Sequence, residues 1–134
     1  MRKQKKEISQ FMWISKKIKF FGIIEDGQRK YLKNLLENAV KYANPGTKIM
    51  ILQETYETYT EIHVKDEGRG IPKEEWNRIF QRFYRGKGTE DIEGSGVGLY
   101  LSRLILEMEQ GALTVESEVG NGSCFTVFLQ NCKN

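Results

Sequence analysis

One helical stretch decides most of what this chain can become. Residues 28–43 place Leu32, Leu35, Leu36, Ala39, Val40 and Ala43 at helical spacing. Asp26 stands where a cap is wanted. Asn44-Pro45-Gly46 stops the run, because neither Pro nor Gly continues a helix. Two runs of β-branched and aromatic residues follow at once, 47–55 and 58–65, with a short connection. A charged glycine loop, 66–70, leads to Pro72 at the first turn of a second helix. Glu74 and Glu75 suit its positive end, and Trp76, Ile79, Phe80 and Phe83 fall at i, i+3, i+4 and i+7. Residues 86–96 read as a mobile, glycine-rich loop. A third helix, 97–108, carries Val97, Leu101, Leu104, Ile105 and Met108 on one stripe, and Gly111 ends it. Runs 113–117 and 123–129 then pair across 118–122, where Asn121-Gly122 is a strong turn signal. The order helix, two strands, helix, helix, two strands predicts an α+β chain. Its sheet is mixed, mostly antiparallel, of about five strands, and covered on one face by about three helices.

Composition narrows the class. A length of 134 residues suits one domain. An apolar fraction of 39% with 29% charged residues excludes wholesale disorder. No run approaches the ~20 apolar residues of a membrane span. Cys124 and Cys132 form neither a disulfide framework nor a zinc site, and suit a reducing, cytoplasmic setting. The net charge of +3 hides an asymmetry: residues 1–19 hold seven basic and one acidic side chain, the remainder 14 basic and 17 acidic. The basic arm reads as a solvated connector rather than a nucleic-acid contact. The apolar cluster at 11–14 is too short for a signal-peptide core. So is that at 20–24, which reads as a strand entering the domain.

Four places carry chemistry. On the 28–43 helix, Asn34, Asn38 and Lys41 gather opposite the apolar stripe, with Tyr31 and Tyr42 at the flank. Asn is a poor helix former, yet two stand at i, i+4 in mid-helix, where an amide oxygen suits a hard cation such as Mg²⁺. Asp66-Glu67-Gly68-Arg69-Gly70-Ile71-Pro72 puts a carboxylate at a strand end, able to accept a hydrogen bond from the amine of a flat base. Gly94-Ser95-Gly96-Val97-Gly98 opens a helix, where free N–H groups and the dipole favour phosphate. It is neither a Walker loop nor a dinucleotide fingerprint. Arg82, Arg85 and Lys87 could meet phosphate oxygens.

In order and spacing these segments resemble the ATP-binding catalytic domain of sensor histidine kinases, in the superfamily that includes gyrase, the Hsp90 chaperones and the MutL repair proteins. The resemblance runs from about Lys17 to Leu129. Residues 34–42 look like the N box, 66–72 like the first glycine box, 79–85 like the F box, and 94–99 like the second glycine box. The F box separates the kinases from their ATPase relatives.

The resemblance implies a Bergerat fold, a two-layer α/β sandwich, over residues 17–134, with 1–16 left from the connection to an upstream dimerisation region. It implies a protein-histidine kinase that binds ATP with Mg²⁺ and passes the γ-phosphoryl to a histidine on a separate dimerisation domain, and thence to a response regulator. Asn38 would ligate the metal with Asn34 nearby, and Lys41 and Tyr42 would meet phosphates or the nucleotide edge. Asp66 would bind the adenine amine, and Gly68 and Gly70 would admit the base, with Ile71 and Phe83 in the pocket. Arg85 would reach the γ-phosphate. Gly94, Ser95, Gly96, Val97, Gly98 and Leu99 would hinge an ATP lid at 86–93 and contact phosphate. The relatives that hydrolyse ATP carry a glutamate where this chain has Asn34, which argues for transfer rather than hydrolysis. His63 alternates with Ile62 and Val64 and reads as a surface-strand residue, not the acceptor. Two departures stand out: Glu67 replaces the usual Asn, and Glu109-Gln110-Gly111 replaces His-Gly-Gly. The alternatives are a regulatory nucleotide-binding module and an anti-sigma-type serine kinase. Any membrane link would run through upstream segments.

Overall fold

The computed structural model describes the backbone of residues 3–13 and the full residues 30–44, 46–84 and 97–131. The expectations placed on Asp26, on the 20–24 run and on 86–96 fall outside these described residues.

The first strand, β1 (Lys3–Trp13), lies within the segment expected as a connector, yet its backbone pairs with β2 (Lys48–Tyr56). Between them comes α1 (Lys30–Tyr42). It buries Leu32, Leu35, Leu36 and Ala39, as its spacing predicts, and adds Tyr31. The stop at 44–46 also holds. Thr47 donates its amide to the Asn44 carbonyl at 3.3 Å and its hydroxyl at 2.5 Å, and Gly46 takes φ 80°.

β3 (Tyr59–Asp66), β4 (Ala112–Glu118) and β5 (Gly122–Gln130) complete a sheet of order β1-β2-β3-β5-β4. Every neighbouring pair is antiparallel, so the expected mixture is absent among the described residues. The two hairpins are joined by β3–β5 pairing, which sets Asp66 opposite Ser123. Side chains alternate across the strands. Ile49, Ile51, Ile62, Val64, Phe125 and Val127 turn to the helices and are buried, while His63 faces the other side, half-buried. The result is an α+β chain with helices on one sheet face.

Two helical expectations are corrected. From Pro72 the chain makes one 3₁₀ turn, Lys73–Glu75, and then successive turns, not an α-helix. The carbonyl of Glu75 accepts from both Arg78 (2.9 Å) and Ile79 (3.1 Å), and the indole N–H of Trp76 donates back to the Ile71 carbonyl at 2.9 Å. Phe83 then sits at φ 66°, which no helix tolerates. The spacing still marks Ile79 and Phe80 as core, but Phe83 is 60% exposed.

The second correction concerns α2 (Gly98–Met108). Of the expected stripe Ile105 does pack against the core, but Leu101 and Leu104 are 41% exposed and Met108 76%. Ser102 and Leu106 are buried instead, with Leu99 and Ile105 packed against the core. Apart from the exposed Arg103 and Glu107, the helix is apolar over an arc wider than the face it buries, so periodicity alone does not orient it. The buried Ser102 hydroxyl is satisfied by the Gly98 carbonyl one turn earlier, at 2.9 Å. The helix ends as Gly111 donates to the Leu106 carbonyl at 2.7 Å, with Gln110 in the left-handed region at φ 62°. Among the described residues no helix is long and apolar enough to cross a membrane.

Candidate functional site

An open cleft lies between α1, the loop after β3, the turns of 72–84 and the start of α2. Its apolar floor includes Ile79 and Phe125, with Ile71 and Leu99 at the sides.

Asp66 supplies its buried charge. The residue is 3% exposed, and one carboxylate oxygen accepts the Gly68 amide at 2.9 Å. Burial pushes its pKa up to about 6, and the backbone amides of Gly68 and Ser123 partly oppose that rise. At neutral pH it is a carboxylate, an acceptor aimed at a ligand donor. Asn38 and Tyr42, one helical turn apart on α1, line the same space.

The loop bearing Arg69 is fixed on both sides. A Cβ on Gly68 would collide with the Tyr42 carbonyl, and one on Gly70, at φ 76°, with the Glu118 carbonyl. Ala43 bridges to Gly68, Gly120 donates to the Arg69 carbonyl at 2.8 Å, and Ile71 donates to the Ser117 hydroxyl at 2.7 Å. The chain's own close packing therefore demands both glycines, and of the two only Gly70 lines the cleft.

The opposite wall is built by turns. Glu75 is buried and accepts the Tyr84 hydroxyl at 2.7 Å, and both line the cleft. That bond to a carboxylate raises the phenol's pKa.

Of the residues named from sequence, Asn38, Tyr42, Asp66, Gly70, Ile71 and Leu99 meet around the cleft. Asn34 lies off it, donating to the Gly98 carbonyl at 3.4 Å and so tying α1 to the start of α2. Lys41 is exposed and does not line it. Nor do Gly68, Val97 or Gly98, and Phe83 stands outside with the Arg82 guanidinium 4.7 Å above its ring. Arg85, Gly94, Ser95 and Gly96 fall outside the described residues. Sequence reasoning missed Arg69, Glu75, Tyr84, Ser123 and Phe125 as lining residues. Alternation along β5 does mark Ser123 and Phe125 as inward-facing, but nothing local to them points to Asp66.

His63 occupies the far face of the sheet. Its Nδ1 lies 2.9 Å from the Thr126 hydroxyl, and its Nε2 lies 3.5 Å from Glu61 and 3.8 Å from Glu54.

A buried acceptor and a helix-borne amide over an apolar floor suit a flat polar ligand, and the chain as a whole is similar to known proteins. The family model of histidine kinase-, DNA gyrase B- and HSP90-like ATPases matches residues 24–132. The sensor histidine kinase YvrG of Bacillus subtilis is 33% identical over 111 residues, 82% of this chain and 19% of the relative. The sensor protein SrrB of Staphylococcus aureus is 35% identical over 106 residues, 78% of this chain and 18% of the relative. The chain thus spans about a fifth of the length of these relatives. Among solved structures, the mycobacterial sensor histidine kinase MprB aligns with a TM-score of 0.67 at 27% identity, covering 75% of this chain and 68% of that one. Full-length ShkA in complex with AMPPNP aligns at 0.65 and 26% identity, covering 75% of this chain and 20% of that one.

The chain belongs to the histidine kinase-, gyrase B- and HSP90-like ATPase family, whose members bind ATP. Within it, the matching segment is the ATP-binding catalytic domain of two-component sensor histidine kinases.

Proposed function

We propose that this chain holds Mg-ATP in the cleft and presents the γ-phosphoryl to a histidine on a separate dimerisation domain, from which a response regulator takes it. The observation that carries the reading is Asp66, a buried carboxylate lining a mostly apolar cleft. Adenine offers an exocyclic N–H₂ to that carboxylate and a flat face to Ile71, Ile79 and Phe125.

The donor set fits Mg²⁺. No three His, Cys, Asp or Glu side chains among the described residues are grouped to hold a metal. A cation here would take the Asn38 amide oxygen, with phosphate and water oxygens completing the shell, as Mg²⁺ prefers. When bound, it neutralises charge on the transferring phosphoryl. The residues themselves bind, orient and exclude water. Asn34 offers an amide where hydrolysis needs a base. Lys41 and Arg85 are proposed to approach the phosphates from the helix end and from the segment after the F box, and Gly94–Gly98 to meet them. Phe83 is proposed to contact the closed lid rather than the base.

The acceptor is proposed to lie on another domain, because His63 sits across the sheet from the cleft with its ring engaged by Thr126, Glu61 and Glu54. The exposed stripe of Leu101, Leu104 and Met108 suits docking of that domain's helices. Arg103 lies 4.8 Å over the Phe80 ring, joining α2 to the turn that carries Phe83. Residues 1–16 are proposed to continue toward the dimerisation region and 17–134 to form the Bergerat-type domain, on the cytoplasmic side of any membrane the whole protein spans.

Supplying γ-labelled ATP together with a separate histidine-bearing dimerisation domain tests the reading. Acid-labile, base-stable label on that domain is expected. Acid-stable label on serine would establish the serine-kinase alternative, and intact ATP binding with no label the regulatory one. Asn38→Ala is expected to abolish Mg²⁺-dependent nucleotide binding while the unfolding midpoint stays in place; unchanged affinity by calorimetry would sink the metal assignment.

A further inference from the structure

We infer that Arg69 caps the exposed face of the bound base, making it a specificity and affinity residue of the cleft. The inference rests on the nucleotide reading above and adds a residue to it.

Arg69 is the one cationic side chain among the described residues that line the cleft. Its backbone is immobilised: glycines on both sides are locked against Tyr42 and Glu118, and its carbonyl accepts from Gly120 at 2.8 Å. A long side chain on a fixed stem at a cleft mouth sweeps a limited volume. Its guanidinium rests 5.9 Å from the centroid of the Tyr42 ring, within cation–π range. An exposed arginine held over one aromatic face at a pocket lip is placed to cover a second flat ring entering beside it, since the delocalised guanidinium stacks on aromatic planes where an ammonium does not.

Position along α1 tells base from phosphate. Tyr42 is at the C-terminal end of α1, level with Asp66 through the Ala43–Gly68 bridge. Asn38 lies about 6 Å further toward the N-terminus, and Asn34, bonded to Gly98 at the start of α2, about 12 Å. The helix start that favours phosphate is therefore at the far end of the cleft from Arg69. The guanidinium, seated on Tyr42, stands at the Asp66 end, where the base is held.

The test is calorimetric titration of the full chain with adenosine and with ADP. If Arg69 covers the base, Arg69→Ala weakens both by about the same factor, fivefold to tenfold. Arg69→Lys recovers little of it, because the plane is lost while the charge remains. Tyr42→Leu weakens binding in the wild type and has a smaller effect in the Arg69→Ala background, since the ring seats the guanidinium. Loss for ADP with adenosine untouched would identify a phosphate contact and overturn the inference. So would full recovery by lysine, or affinities unchanged by Arg69→Ala. A wild-type chain that binds neither ligand would instead remove the nucleotide reading of the cleft, and this inference with it.

Discussion

The two walls of the cleft are built in different ways. The α1–β3 wall consists of regular elements whose faces are unambiguous. α1 alternates a wholly apolar stripe with a polar face bearing Asn38, and β3 ends in Asp66 after the buried Ile62 and Val64. The opposite wall is made of turns and of a helix, α2, whose apolar arc is wider than the face it buries and leaves only Arg103 and Glu107 as its charged side. Ser102 and Leu106 are buried, and Leu101, Leu104 and Met108 are left outside. A contrast in hydrophobicity orients an element only when the apolar arc matches the buried face; where the arc is wider, packing decides which part of it is buried.

Truncation gives the largest test of that contrast. Leu36→Ala in α1, at 1% exposure, is expected to cost about 3–4 kcal/mol, while Leu104→Ala in α2 costs under about 0.5 kcal/mol. Urea unfolding measures both. If the two leucines cost the same, the outward assignment of the α2 stripe is wrong. On the proposed function, Leu104→Ala is expected to weaken transfer to a separately supplied dimerisation domain.

The same contrast explains what was legible. Strands β2 to β5, α1 and its stop, and the carboxylate at a strand end follow from local rules, namely period, turn residues and residue type; β1, in a charged segment without a clear apolar period, does not. The turn wall does not. Glu75 looks like a charge placed for a helix dipole, yet it is buried under the Tyr84 hydroxyl, nine residues on, because the chain between them turns rather than spirals. Ser123 reaches Asp66 only through β3–β5 pairing across 57 positions, a register set by the whole core. Gly68 and Gly70 are conspicuous in sequence, but their necessity comes from the Tyr42 and Glu118 backbones, which no local window contains. Residue type thus exposed the polar half of the site, and three-dimensional packing alone reveals the other half.

A medium-sized effect sharpens the polar wall. The pKa of Asp66 rises from 3.8 unfolded to about 6 folded, so the folded state retains the proton longer. Between those values the native protein binds more protons than the unfolded chain, and stability falls as pH rises through that window. The total loss levels off above about pH 6 at roughly 3 kcal/mol. Asp66→Asn should flatten that part of the stability profile, read as the wild-type-minus-variant difference from pH 4 to 7. A ligand N–H that prefers the carboxylate reverses the sense for binding: adenosine should bind more tightly at pH 7 than at pH 5. Parallel stability profiles for the two proteins would refute the buried-charge account.

The smallest effect lies at the end of α2. The helix closes on Gly111, but the left-handed residue is Gln110, at φ 62°, where a side chain pays a steric penalty that glycine escapes. The hydrogen bond from Gly111 to Leu106 enforces that geometry, and Gly111 itself is wedged against the Phe128 carbonyl, so the strain cannot move one position along. Gln110→Gly should therefore stabilise the domain by about 1 kcal/mol, the relieved strain exceeding the added freedom of the unfolded chain. Gln110→Ala keeps a Cβ and should not. If glycine and alanine act alike in thermal unfolding, the gain comes from removing the side chain and the left-handed turn contributes nothing. If only glycine stabilises, α2 is shown to be held in place against its own backbone preference, the same dominance of packing over local rule that turns its apolar stripe outward.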